Sequence, residues 1–259
     1  MLMMLEKVIR KAADIMTGAK DARVSQKDGH ANYVTQADYA VQEYLRGALA
    51  QLLPGSLFLA EEQRNDPLTP APTWVVDPID GTLNYMRGRN CSAVSIALLT
   101  DSLPTAAMVF NPYLNELFSA EKDKGSTLNG QSIRVSEHPL ASAVVAFGTT
   151  PYNPGFANST FRAAKAFLLQ TADIRRTGSA ALDLCDVACG RADVFFEMSL
   201  SPWDYAAGAL IVTEAGGSFD MPFEQAIAFS KPAGIFASNQ TCRSEALDIL
   251  RNVVKEVGA

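Results

Sequence analysis

The chain has 259 residues, 48% of them hydrophobic and 19% charged, which is enough apolar material for an ordinary buried core. Its 22 basic and 28 acidic side chains leave a net charge of −6, with no block of like charge, so nucleic acid is not expected as a partner. An anionic ligand must be captured by a local device, either a bound cation or a helix N-terminus.

The first segment, "MLMMLEKVIRKAADIM", is interrupted by Glu6, Lys7, Arg10 and Lys11, while Leu5, Val8, Ile9, Ala12 and Ile15 recur at helical spacing. That predicts an amphipathic surface helix, without the unbroken apolar run of a signal peptide. No apolar stretch approaches the roughly 18 residues of a membrane span, so no membrane partner is expected. "KDGHANYVT" (27–35) reads as a loop or short hairpin. "QADYAVQEYLRGALAQLL" reads as a helix with Ala37, Val41, Leu45, Leu49 and Leu52 on one face, stopped by Pro54-Gly55. "SLFLAEE" is a short strand running into Glu61 and Glu62, "NDPLTPAPT" is a Pro-rich connector, and "TWVVD" is a strand ending at Asp77. "AVSIALLT", "AAMVFNP" and "ELFSAEK" read as further strands, and Asn129-Gly130 is a hairpin turn. The segment 1–135 therefore reads as an α+β half, with helices on a mostly antiparallel sheet.

From about Ser136 strands and helices alternate. "SAVVAFGTT" is a strand, Asn158 to Gln170 a helix, and "TADIRRTG" a strand and turn. "SAALDLCDVACG" is a helix, "ADVFFEM" a strand, "SPWDYAAGALIVTEAGG" a helix with glycine past its end, and the last helix starts near Ser244. Such alternation predicts an α/β half over 136–259. The four cysteines (Cys91, Cys185, Cys189 and Cys242) form no CxxC pair and read as core thiols of a reduced, cytoplasmic protein.

Only two histidines are present, His30 and His138, and there is no Gly-x-Ser-x-Gly, no P-loop and no Gly-x-Gly-x-x-Gly. A Ser-His-Asp hydrolase and those nucleotide cradles are thereby excluded. Carboxylates, hydroxyls and an ion remain. In "DPIDGT" (77–82) Pro78 keeps Asp77 extended, and Asp80 can swing back beside it after the turn. With the Ile79 carbonyl, the two carboxylates offer oxygen ligands suited to Mg²⁺. Gly81 permits close backbone approach and Thr82 opens a helix whose free amides suit phosphate. Each signal also has an ordinary structural reading: Asp80 as a helix cap, Glu61 and Glu62 as solvated strand-end acids, Asp204 as a dipole-favoured helix acid. Their joint occurrence in order changes the balance.

That joint pattern resembles the inositol monophosphatase family of Mg²⁺-dependent, lithium-sensitive sugar phosphatases. "DPIDGTLNY" (77–85) is similar to its first signature and "WDYAAGALIVTEAGG" (203–217) to its second, with "EE" at 61–62 and "VTQAD" at 34–38 in support. The resemblance implies a layered αβαβα sandwich. It also implies Glu61, Asp77 and the Ile79 carbonyl as ligands of one metal, and Asp77, Asp80 and Asp204 as ligands of a second. A third ion depends on the loop at Asn32, where the family often has Asp. Glu61 and Thr82 would orient and deprotonate the attacking water, with Asp38 behind Thr82 and Lys27, eleven residues before Asp38, in the same catalytic set. Gly81 and Thr82 amides would hold phosphate, beside Asp80 and Asp204. Glu197 would read sugar hydroxyls, and Gly178, Ser179 and Ala180 would line the pocket. Two cations can bind the attacking and leaving oxygens together, so no histidine acid is needed.

The resemblance implies a phosphorylated polyol or sugar as substrate, inositol monophosphate first, and a homodimer. Fructose-1,6-bisphosphate, histidinol phosphate and 3′-phosphoadenosine phosphate are alternative substrates. Leu83 stands where 3′-nucleotidase relatives tend to carry Lys and histidinol-phosphatase relatives Arg, and Arg175 or Arg176 offers a second phosphate contact. Ala60 stands where the family usually has Gly, and "SLSP" (199–202) departs from its usual run. A non-catalytic binding protein on the same fold is the reading from a different class.

Overall fold

The computed structural model describes residues 1–19, 24–26, 33–65 and 67–257. In chain order, α1 (Leu2–Gly18) is followed by β1 (Val24–Gln26), β2 (Tyr33–Thr35), α2 (Gln36–Leu52), β3 (Leu57–Ala60), β4 (Thr73–Asp80) and α3 (Thr82–Met86). Next come β5 (Ala93–Thr100), β6 (Leu103–Asn111), β7 (Glu116–Glu121), β8 (Ser126–Leu128), β9 (Gln131–Ile133) and β10 (Val144–Phe147). The chain continues through α4 (Ala157–Leu168), β11 (Asp173–Arg175), α5 (Ala180–Ala188), β12 (Val194–Leu200), α6 (Pro202–Glu214), β13 (Ser218–Asp220), β14 (Ala233–Ser238) and α7 (Arg243–Val257).

Strands β3 to β9 form a seven-stranded sheet in chain order, and a five-stranded sheet has the order β11-β10-β12-β14-β13. Side-chain alternation sorts each strand between two layers. Trp74, Val76, Ile96, Leu98, Met108 and Phe110 face α1 and α2, packing on Leu5, Ile9, Val41, Leu45 and Leu49. Val75, Ala97, Leu99, Ala107 and Val109 face inward, against α5 and α6. Phe195, Ile235 and Ala237 of the five-stranded sheet close the same middle layer from the other side. The outer face of that sheet, with Val145, Phe147, Val194, Phe196 and Phe236, is covered by Phe167 of α4 and by Ala246, Leu247 and Leu250 of α7. The layers therefore run helix, sheet, helix, sheet, helix, the sandwich that the resemblance implies.

The Asn129-Gly130 turn joins β8 to β9, with Leu128 paired to Gln131 and both turn residues at positive φ, 50° and 78°. That is the twist a two-residue hairpin demands. The five-stranded sheet departs from a parallel α/β pattern. Strand β10 is parallel to β11 and β12, but β14 is antiparallel to both β12 and β13. The reason is connectivity: α4 and α5 supply crossovers for the parallel strands, while β13 and β14 are joined without a helix. Strand β4 also runs on to Asp80 rather than ending at Asp77, with its pairing to β5 shifted between those two residues.

Helix α6 is apolar on nearly every side because it lies between two sheets. It packs tightly on α5 at Gly208, where an added Cβ would come within 2.4 Å of Leu184 Cδ1 and 2.6 Å of Leu184 Cβ. Gly208→Ala should therefore destabilise the fold by about 1–3 kcal/mol through overpacking. Urea unfolding of Gly208→Ala, Leu184→Ala and the double variant provides the check. The double variant should be more stable than the sum of the two single losses predicts, and simple additivity would show that the two side chains do not compete for space.

Candidate active site: a carboxylate cleft between the two sheets

The same alternation that builds the core aims the acids. Asp77 follows the parity of Val75 and so points to the middle layer, as Glu197 follows Phe195. Both strands are irregular there: β4 shifts register between Asp77 and Asp80, and β12 between Glu197 and Leu200. Such bulges re-aim side chains at the edge of a site. At β4 the bulge turns Asp80 back to the side of Asp77, so that both acids meet the N-terminus of α6.

Asp204 sits in the first turn of α6, where its carboxylate accepts the Ser201 backbone N–H at 2.8 Å and completes a capping box with Ser201. The ligand oxygens of Asp77, Asp80 and Asp204 all lie within 4.8 Å of one another. Two are buried and Asp204 is partly exposed. Asp77 Oδ1 accepts the Ile79 N–H at 2.9 Å. Asp80 Oδ2 accepts the Ala181 N–H at 2.9 Å and the Ser179 hydroxyl. Segment 178–181 thus orients Asp80 from the second half of the chain, a task the sequence did not suggest for Ser179.

Burial pushes the carboxyl pKa of Asp77 well up, and the charges of Glu61, Asp80, Asp204 and Asp38 push it further. Asp204 is raised in the same way, by burial and then by Glu61 and Asp80. Burial raises Asp80 to about 6 against the pull of its bonds from Ser179 and Ala181. Like charges brought this close out of water favour protonation or a cation. The donors are all carboxylate oxygens, which suit a hard divalent ion such as Mg²⁺ rather than a thiophilic metal. The residues present therefore fit the ion that the sequence implies.

Glu61 lies outside that close trio but lines the same cleft, of about 310 Å³, with Asp77, Ile79, Gly81, Thr82 and Gly178. The Ile79 carbonyl accepts the Thr82 hydroxyl at 3.1 Å, and Asp38 Oδ1 lies 3.5 Å from that hydroxyl. Thr82 has one proton to give, so the shorter contact holds it in this arrangement. Asp38 is buried in the capping box of α2, accepting the Thr35 N–H at 2.8 Å and the Thr35 hydroxyl at 2.6 Å. Burial raises its carboxyl to about 6. Helix α3, expected to offer a phosphate site, is five residues long with Gly81 in the left-handed region at φ 83°. A Cβ there would meet the carbonyls of Cys91 and Gly178 at 3.1 Å, so glycine is required by both conformation and space. Lys27 and Asn32 lie outside the described residues.

Glu197, expected to face substrate, has a protein partner as well. Its Oε1 accepts the Thr150 N–H at 2.7 Å, and a Cβ on Gly148 would fall 1.8 Å from its Oε2. Burial raises its carboxyl to about 7. Gly178, Ser179 and Ala180 line the cleft, and Thr149, Tyr152 and Arg176 join them. Arg176 reads in the sequence as a candidate phosphate contact, whereas Thr149 and Tyr152 carry no signal there, because the strand-to-helix loop that holds them has an ordinary composition.

The chain matches the inositol monophosphatase family over residues 2–255. It is 40% identical over 217 residues to inositol monophosphatase 2 of Solanum lycopersicum, covering 80% of this chain and 82% of that protein. It is 34% identical over 256 residues to the Nus factor SuhB of Haemophilus influenzae, covering 97% and 96%. Among solved structures, the Thermotoga maritima IMPase superposes with a TM-score of 0.88 at 32% identity, covering 97% of each chain. With a match running almost end to end and the acids of both signatures gathered in one cleft, the chain belongs to the inositol monophosphatase family, a family of phosphatases.

Proposed function

We propose that this protein is a Mg²⁺-dependent phosphomonoesterase that hydrolyses inositol monophosphate to inositol and phosphate. The convergence of Asp77, Asp80 and Asp204 within 4.8 Å carries this reading. Two divalent ions held by these residues, Glu61 and the Ile79 carbonyl would neutralise phosphate charge and acidify the attacking water.

The remaining work falls to the chain itself. Glu61 and Thr82 orient the water, the Thr82 hydroxyl being set by the Ile79 carbonyl and by Asp38. The Gly81 and Thr82 amides hold the phosphate at the turn into α3, and Lys27 belongs to the same catalytic set. Glu197, Gly178 and Ala180 border the polyol, and Ser179 keeps Asp80 in place. Sensitivity to lithium, a homodimer and a cytoplasmic location belong to this reading. No helix among the described residues is long and apolar enough to cross a membrane.

The SuhB relatives favour a second reading, in which the fold docks on a partner instead of turning over substrate. Retention of the whole carboxylate trio weighs against it, since a docking scaffold gains nothing from buried like charges. Phosphate release from inositol monophosphate with and without Mg²⁺ decides between the two. Release that depends on Mg²⁺ supports the enzyme, and its absence with this and the alternative sugar phosphates supports docking.

Asp80→Asn should keep the fold yet lower turnover at least about a hundredfold, the scale of losing one preorganised charge stabiliser. Near-wild-type turnover at saturating Mg²⁺ would show that Asp80 holds no essential ion. Thr82→Ala should reduce kcat far more than it alters KM. A raised KM with kcat intact would instead make Thr82 a phosphate contact only.

Stability should also report the cluster. Asp80 stands at about 6 in the folded chain against 3.8 unfolded, so the folded state holds its proton more tightly. Without divalent ions, its contribution is therefore fully present below pH 3.8 and is lost as pH rises through about 6. Added Mg²⁺ should raise Tm, and by more at pH 7.5 than at pH 5, because the cation replaces protons that have left. Thermal melts of wild type and Asp80→Asn in EDTA and in Mg²⁺ test this, and an equal Mg²⁺ shift at both pH values would contradict it.

A further inference from the structure

We infer that Tyr152 is a specificity-determining residue of this site, its ring packing against the polyol of the substrate. The inference rests on the reading above and adds to it a residue that recognises the part of the substrate away from the phosphate.

Tyr152 is 65% exposed, a large aromatic side chain left out of every core cluster. It nonetheless lines the catalytic cleft with Thr149 and Pro151. The same cleft is lined by Asp77, Asp80, Asp204, Glu61 and Glu197, so Tyr152 borders the space that the acids face while much of its side chain is open to solvent.

The loop carrying it is held in one shape. Thr150 sits at φ 41°, a left-handed conformation that a β-branched residue adopts only under constraint. Three contacts impose it. Glu197 Oε1 accepts the Thr150 N–H at 2.7 Å, the Thr150 hydroxyl donates to the Ser199 carbonyl at 3.2 Å, and the Asn153 N–H closes a turn on the Thr150 carbonyl at 3.0 Å. On the near side Arg176 Nη2 donates to Thr149 Oγ1 at 3.2 Å. Gly148 makes the arrangement possible, because any Cβ there would overlap the Glu197 carboxylate. Glu197 is therefore a positioning residue for this loop whatever else it touches. Strain retained at the rim of a cleft, with an aromatic ring as its product, is the pattern of a preorganised contact.

A cyclic polyol presents one face of C–H bonds and a rim of hydroxyls. The ring of Tyr152 suits the first and its phenol the second. A phosphate ester without a polyol, such as ethyl phosphate, gives the ring almost nothing to cover and isolates the chemistry at Asp77, Asp80 and Asp204.

Tyr152→Ala removes an exposed side chain and should leave the melting temperature close to wild type. It should raise KM for myo-inositol 1-phosphate by about 5- to 30-fold while kcat changes less than about twofold, the scale of losing an aromatic contact and its covered area. Ethyl phosphate should be hydrolysed with unchanged kcat/KM. Tyr152→Phe, which keeps the ring, should recover all but about threefold of the loss. Calorimetric binding of myo-inositol 1-phosphate should weaken in parallel with KM. A wild-type enzyme that prefers myo-inositol 1-phosphate over ethyl phosphate and keeps that preference in Tyr152→Ala overturns this inference alone. Equal losses on both esters also overturn it, since they would show that Tyr152 supports the site rather than reads the substrate. A wild-type protein with no preference for the polyol ester overturns the substrate reading and this inference together.

Discussion

Mutual repulsion among two buried carboxylates and a half-buried third is the constraint around which this molecule is built. Asp77 and Asp80 come from β4 in the first sheet and Asp204 from α6 in the middle layer, and their oxygens are forced to within 4.8 Å. Water would separate them at once, so the surrounding packing must hold them. On one side Asp80 is tied to Ser179 and Ala181, across the two halves of the chain. On another, Asp204 is fixed by the cap that starts α6. The hydrophobic middle layer therefore has a second task besides burial: it keeps like charges in register.

Much of the architecture was legible because its periodicities are clean. The apolar alternation of β4 to β6 and the helical stripe of α1 follow from which faces are buried, and burial follows from residue type. The trio of acids was legible for a different reason. "DPIDGT" and "WDYAAG" match in order the two signatures of the family that the chain resembles, whereas each aspartate alone reads as an ordinary strand-end or helix-start acid. What was not legible depends on pairings between distant segments. The antiparallel β14 reads as one more strand of an alternating pattern, since connectivity rather than composition sets its direction. Ser179 reads only as a pocket residue, yet it caps α5 and donates to an acid 99 residues earlier. Thr150 has nothing in its neighbours to mark it as left-handed, because the constraint comes from Glu197, 47 residues later.

The two sheets contribute unequally, and the division has a physical basis. The first half holds Asp77 and Asp80, two of the three clustered acids, and the turn at Gly81 proposed for phosphate. The second half holds Asp204, Glu197 and the loop at Thr150. Charge chemistry needs fixed positions, and the strand-and-bulge geometry of β4, eight residues all buried, provides them. Recognition of a substrate body can be carried by loops, which change composition without disturbing the acids. A family of phosphatases acting on different phosphate esters is what such a separation permits.

Glycines mark where that separation is enforced. Gly81 lets the first half approach the carbonyl of Gly178 and the side chain of Ser179. Gly148 lets the loop of the second half close over the Glu197 carboxylate. Neither contact admits a side chain, so each fixes how closely two segments of the cleft approach one another. Because Asp204 and the Asp77–Asp80 pair approach from different layers, a cation that binds all three also links those layers. Its binding would then be coupled to the stability of that packing, since the carboxylates that repel in its absence would become shared ligands in its presence.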